Sequence, residues 1–214
     1  LPILSVFERD ILTRPRALYI LRLRTSKLRS AFPQRIADRV AAVHPGGWLL
    51  DVGCGPGLLE NRLASRFGRD RLVGVDIDRD MLVVAGSEGV MDLIRGSSAC
   101  LRFRDGSIAT AVSSASLKDW GDRIGGLREM ERVLRPGGTA VVYDFITAIP
   151  GSRPEGFARR FGIASEILRR LMASRMPFSL DDGNRLLGEL DGIDAALEVE
   201  EDLGALRITI EKRA

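Results

Sequence analysis

Two spacings of apolar residues divide this chain. Short apolar runs at 48–52, 72–76, 108–112 and 139–145 contain few polar positions. Such runs suit strands buried on both faces. Between them, apolar residues recur every three or four positions, the spacing of a helix with one buried face. The pattern predicts helices over 3–12, 16–30 and 31–43, with Pro15 ahead of the second and Ile36, Val40 and Val43 spaced for burial in the third. His44-Pro45-Gly46-Gly47 ends that helix and makes His44 a helix-end or turn residue. The order is then strand 48–52, helix 57–67, strand 72–76, a short helix 79–85, strand 90–94, strand 108–112, helix 122–134 and strand 139–145. Gly86-Ser87-Glu88-Gly89 clips the second of these helices. Regular strand–helix alternation predicts a parallel sheet with helices on both faces, an α/β fold.

The last third follows a different plan. A helix over about 155–174 repeats Phe157, Phe161, Ala164, Leu168 and Leu171. Ser179 caps a further helix whose first turn carries Asp181 and Asp182. Alternating strands over 195–200 and 205–211 flank Asp202-Leu203-Gly204 and read as a hairpin.

With 214 residues the chain can build one sizeable core. No apolar run reaches the length of a membrane span and no signal segment opens the chain, so the expected compartment is the cytoplasm. Cys54, Cys100 and His44 are the only cysteines and histidine, which excludes a Cys/His zinc site; no metal is expected.

The chemistry concentrates at Leu49-Leu50-Asp51-Val52-Gly53-Cys54-Gly55-Pro56-Gly57, a strand ending in an acid and three alternate glycines, followed by a helix. Glycines let a ligand touch backbone, and the helix start offers free N–H groups. Leu72-Val73-Gly74-Val75-Asp76 is a second strand ending in an acid, and Asp76 lies 23 residues after Gly53. That is close to the spacing at which such an acid reaches a ribose. Leu134-Arg135-Pro136-Gly137-Gly138 then joins a helix to a strand. A nicotinamide oxidoreductase would space its glycines G-x-G-x-x-G, whereas this loop is G-x-G-x-G.

With these three motifs, residues 35–145 resemble the class I S-adenosylmethionine-dependent methyltransferases, in particular their small-molecule group. The resemblance implies a Rossmann-like, mostly parallel seven-stranded sheet with an antiparallel last strand. It also implies one domain over 1–214: a helical N-terminal lid at 1–40, a cofactor-binding core at 41–148, a lid insertion after strand five at 149–178, and a C-terminal helix and hairpin at 179–214. The implied cofactor is S-adenosyl-L-methionine. Its expected contacts are Asp51 toward the methionine end, the Gly53, Cys54, Gly55 and Gly57 turn, Asp76 on both ribose hydroxyls, and Ile77 on the adenine face. Ser97 and Ser98 replace the acid that relatives carry after Gly96, and Ser113 follows strand four. Leu117-Lys118-Asp119 stands where many relatives carry Leu-His-His, so Lys118 and Asp119 are the candidates for assisting proton removal. A surface ion pair or helix cap is the competing use of both.

Net charge is +3, but residues 1–40 carry +6 and residues 151–176 carry +4, leaving the remainder at −7. These segments coincide with the implied lid. Arginine on both pieces, with Arg159, Arg160 and Tyr19 as candidate acceptor contacts, suggests a small or lipid-like anionic acceptor; solvated helix faces explain the same charge. RNA is an alternative acceptor, disfavoured by an aromatic content of 6%. A non-catalytic S-adenosylmethionine-binding interaction protein is the alternative outside enzymes, since the usual acid and histidines are missing.

Overall fold

The structure, a computed structural model, describes residues 28–87, 89, 92–146 and 178–213. Among them, seven strands form one sheet in the order β3-β2-β1-β4-β5-β7-β6. The strands are β1 Leu49–Val52, β2 Leu72–Asp76, β3 Leu93–Arg95, β4 Ile108–Ser114, β5 Leu134–Phe145, β6 Asp194–Glu200 and β7 Ala205–Glu211. Helices α1 Leu28–Val43, α2 Leu58–Phe67, α3 Arg79–Ser87, α4 Arg123–Val133 and α5 Leu180–Gly188 flank it. The pairings among β1 to β5 are parallel, and β7 runs antiparallel to both β5 and β6. This is the predicted Rossmann-like class.

Successive residues of a strand face opposite sides of the sheet. Leu49 therefore joins a core layer with Phe32, Ile36, Val40, Leu63 and Leu72, on the side of α1 and α2. Leu50 and Val52 join the opposite layer with Leu127, Met130 and Val133 of α4 and Leu186 of α5. Asp51 shares the face of Leu49 and is thereby carried beneath α2.

Four boundaries depart from the sequence expectation. Residues 28–30, read as the end of one helix, continue without a break into the next, through Pro33, as α1. The third strand, expected over 90–94, omits Asp92 and runs on to Arg95 among the described residues. Helix α3 runs on to Ser87, past the expected stop at Ala85. Strand β4 continues to Ser114 instead of ending at Val112. The Pro-Gly-Gly turn is absorbed into β5 as a bulge: Leu134 pairs Ile108, but Thr139 pairs Thr110. Gly137 takes φ 71°, and its N–H donates to the Lys212 carbonyl while the Lys212 N–H donates to Gly138. The extra residues are thus held by the chain leaving β7. Of the expected lid segments 1–40 and 149–178, residues 1–27 and 149–177, with Tyr19, Arg159 and Arg160, lie outside the described residues.

Charge fixes α1 to the C-terminal hairpin. Glu200, 8% exposed, forms ion pairs with Arg39 at 2.7 Å and with Arg207 at 3.1 Å. Arg35 and Arg39 also reach Asp202 at 3.0 and 3.1 Å. Two of the basic residues counted toward the N-terminal surplus therefore serve the fold. Phe32 stacks on Phe145 with ring centroids 4.5 Å apart. If α1 is core in this way, Ile36→Ala should cost roughly 2–5 kcal/mol in denaturant titrations, the range for emptying a buried aliphatic site. A loss of a few tenths of a kcal/mol would mean that α1 rides on the surface.

Candidate functional site

The C-terminal ends of β1, β2 and β4 converge on the glycine turn. After Val52 the chain doubles back, and the N–H groups of Gly53 and Cys54 both donate to the Val75 carbonyl of β2, at 2.7 and 3.1 Å. The return into α2 uses left-handed backbone at Gly53, Gly55 and Gly57, with φ of 74°, 56° and 77°. An L residue pays a steric cost there, and glycine does not. At Gly53 space is lacking as well: a Cβ would sit 2.3 Å from the Ser116 Oγ. At Gly55 nothing lies within 4 Å of the same point.

Ser116 supports the turn from below. Its hydroxyl is 2.7 Å from that of Ser113, donates to the Val52 carbonyl at 3.2 Å, and accepts from the Trp120 indole N–H at 3.1 Å. Ser113 itself is fully buried. Ala115, between them, takes φ 56°, the left-handed conformation that side chains disfavour. The segment after β4 is thus built around Ser116 rather than around Ser113.

Asp76 closes the turn on the β2 side. One carboxylate oxygen accepts from the Gly55 N–H and the other from the Asp78 N–H, each at 2.8 Å. Burial pushes its carboxyl above the ordinary range, against the pull of these donors. Each oxygen keeps a second acceptor direction. Ile77, next in sequence, is 67% exposed, an unusual position for a large aliphatic beside a cleft. Ser97 and Ser98 lie beyond β3 and are half-buried; the Ser97 hydroxyl accepts from the Ala99 N–H.

Asp51 and Glu60 lie under the turn. Asp51 is 1% exposed and Glu60 wholly buried, and neither carboxyl has a hydrogen-bond partner among the described residues. Gly74 makes room for them. It is the register partner of Asp51 on β2, so the two positions face the same side roughly 4.8 Å apart. A Cβ on Gly74 would lie 1.8 Å from the Glu60 Oε1 and 3.0 Å from the Cys54 sulfur. Glu60 thus fills the place of the missing side chain, beside Asp51. Burial pushes both carboxyls up, with the charges of Glu60 and Asp76 adding at Asp51, while at Glu60 the pull of the Cys54 thiol opposes the rise and the charge of Asp76 adds to it, leaving Glu60 at about 8. Burial raises the Cys54 thiol too, which leaves it a neutral, small wall residue.

The candidates after β4 are tied down. The Lys118 ammonium donates to the Ala115 carbonyl at 2.6 Å and pairs with Asp119 at 3.1 Å. It also lies 4.0 Å from Asp144, a fully buried β5 acid that accepts from the Lys118 and Phe145 N–H groups. Burial raises the Asp144 carboxyl, and the Lys118 charge opposes that rise.

Sequence reasoning missed Glu60, Ser116, Trp120 and Asp144. Glu60 carried a readable signal: an acid next to Leu59 and three residues before Leu63, inside the buried stripe of α2. Ser116 and Trp120 carried none, because their value comes from a turn whose path no periodicity encodes.

The comparisons with known proteins agree with this geometry. The family described as "Methyltransferase domain" matches residues 50–142. The demethylmenaquinone methyltransferase of Corynebacterium kroppenstedtii is 35% identical over 105 residues, 49% of this chain and 44% of that protein. The ubiquinone/menaquinone biosynthesis C-methyltransferase of Legionella pneumophila is 32% identical over 130 residues, 56% of this chain and 52% of that protein. The chain spans about half the length of the curated relatives it matches. A Methanococcus maripaludis protein regarded as an S-adenosyl-L-methionine-dependent methyltransferase superposes with TM-score 0.69 over 90% of both chains, at 18% identity, a likeness of fold.

Two predictions follow from the packing around the turn. Gly53→Ala adds a contact inside van der Waals distance to a left-handed backbone and should cost roughly 1–3 kcal/mol beyond Gly55→Ala. Adding Ser116→Gly should recover part of that difference; equal losses at both glycines in chemical denaturation would show that Ser116 gives way freely. The second concerns pH. Folding raises the Glu60 carboxyl from 4.5 to about 8, so across that window the folded state holds a proton that the unfolded state releases. This stabilising contribution is full below 4.5 and is lost as pH rises through about 8. Scanning calorimetry should find a Tm decline from pH 5 to 8 that is shallower in Glu60→Gln; parallel curves would contradict the shift.

Proposed function

We propose that this chain is a class I S-adenosylmethionine-dependent methyltransferase that moves a methyl group from that cofactor to a small or lipid-like acceptor, a reading supported by the methyltransferase-domain match over residues 50–142. The observation that carries the reading is the Asp51 carboxyl, buried without a partner among the described residues beneath a glycine turn whose outer side is open at Gly55. A buried carboxyl left unpaired is costly. A ligand bearing a cationic amino-acid end would relieve that cost.

In this proposal Gly53 and Gly55 hold the loop backbone against the methionine portion, and the N-terminus of α2 offers its free N–H groups to the same region. Asp76 accepts the ribose hydroxyls on the lone pairs not already used by Gly55 and Asp78. Ile77 covers the adenine face, and Ser97 and Ser98 border its edge. When bound, the cofactor supplies an activated methyl group on a sulfonium, leaving the protein to align the acceptor and exclude water. A residue fixed as Lys118 is suits orientation and charge balance: it couples Asp119 to the buried Asp144 at the mouth of β4.

The lipid-like acceptor is supported by the names of the relatives, which act on menaquinone and ubiquinone precursors. The anionic character rests on the arginine-rich segments at 1–40 and 151–176, including Arg159 and Arg160.

The test is transfer of labelled methyl groups from S-adenosylmethionine to three acceptor pools: reduced prenylated naphthoquinones, soluble anionic metabolites, and total RNA. Label in either of the first two supports the proposal, label confined to RNA replaces the acceptor, and none in any pool argues for a binding protein. In parallel, Asp76→Ala should weaken S-adenosylmethionine binding by roughly 1.5–3 kcal/mol, the worth of hydrogen bonds to a charged group. Unchanged affinity in the folded variant would move the ribose elsewhere.

A further inference from the structure

Glu60 has no task in methyl transfer as derived so far, yet it is an acid wholly buried beside the cofactor turn. Its place is specified by packing. The carboxyl occupies the side-chain space that Gly74 leaves vacant, one strand spacing from Asp51. The groups that face the pair are Cys54 from the turn and Asp76 from the end of β2, with Asp51 itself on β1. Each is an acid or a thiol. No cation of the described residues bears on either carboxyl. The favourable influences on Glu60 are the Cys54 thiol and the N-terminus of α2, in whose first turn it stands.

We propose that Asp51 and Glu60 act as one buried carboxyl pair that holds protons in the free protein, so that binding of the cofactor's cationic methionine end expels one from beneath the glycine turn. The inference rests on the cofactor assignment made above. Two carboxyls this close and this dry cannot both be ionised. In the free protein the pair therefore keeps protons that separate acids would release near neutral pH. Glu60 rises to about 8, so its proton is still present at pH 7. A cation placed over Asp51 reverses the balance. One proton leaves to solvent, and the negative charge left behind faces the ligand. No bond other than O–H is broken, and nothing is oxidised or reduced. Affinity is then coupled to pH by linkage: below the free pair's titration, each pH unit gained tightens binding by up to tenfold, and above about pH 8 the gain ends as the cofactor's own α-amino group loses its proton. Glu60 acts here through Asp51 as a positioning residue and does not touch the cofactor.

The experiment is titration calorimetry of S-adenosylmethionine into the full chain at pH 7, in two buffers of different ionisation enthalpy, repeated from pH 6 to 9. The wild type should release close to one proton per cofactor at pH 7 and bind progressively more tightly up to about pH 8. Glu60→Gln keeps the shape of the side chain, and should bind with a much smaller proton release and a flattened pH profile. Asp51→Asn should likewise lose the proton release, with a larger loss of affinity. Wild-type binding without proton release, or full release retained in Glu60→Gln, overturns the pair. Should neither variant fold, the wild-type proton count decides by itself. Absence of wild-type binding at every pH overturns the cofactor assignment, and the pair with it.

Discussion

The site depends on one steric constraint: α2 must start almost directly above the end of β1, so the chain has to reverse within a few residues. Only left-handed backbone makes that reversal, and it is locked by two N–H donors from the turn sharing one carbonyl at the end of β2. Everything else is placed by it. Asp51 is forced under the helix, Asp76 is drawn onto the Gly55 N–H, and Ser116 is pressed against Gly53 from below. A close approach of this kind shuts the acids it covers away from bulk solvent. The same geometry that makes a cradle therefore creates an unusually dry pair of carboxyls.

Gly74 shows how tightly the two ends of that arrangement are coupled. In the sequence it reads as the weak residue of a strand, since glycine contributes no packing to a sheet. In the structure it is the vacancy that admits a side chain from α2. The sheet and the helix thus share one position, and the turn, the strand and the buried acid were constrained together. The Arg39–Glu200–Arg207 cluster does comparable work at the other end of the layer, binding α1 to the hairpin through a nearly buried carboxylate.

What could be read from the chain follows from how local each feature is. The central strands were plain because both faces are buried, which leaves an unbroken apolar run such as Leu72–Val75. The glycine turn and Asp76 were plain because their chemistry lies within a few consecutive residues. The bulge at Arg135–Gly138 was read as a turn because its stabilising partner, Lys212, lies at the far end of the chain. Glu60 escaped notice because a single acid in a helix is ordinarily solvated, and its burial is decided by a glycine on another element. Ser113 is legible as the residue at a strand end, whereas the role of Ser116 depends on the path of a left-handed turn that the sequence does not display.

The order of the sheet has a consequence for how the molecule comes into being. β7 is the last strand to leave the ribosome among those described, yet it lies inside the sheet, between β5 and β6, with seven residue pairs joining it to each. Until residues 205–211 are available, β5 has an unpaired edge and β6 has nothing to join. The segment that matches the methyltransferase-domain family, residues 50–142, is therefore shorter than the cooperative unit that must assemble at once. Sheet closure must wait for loop closure over about sixty residues, a slow, high-contact-order step during which an apolar edge is open to other chains. Timing of synthesis, rather than any feature of the cradle, sets when this protein is most exposed to misassembly.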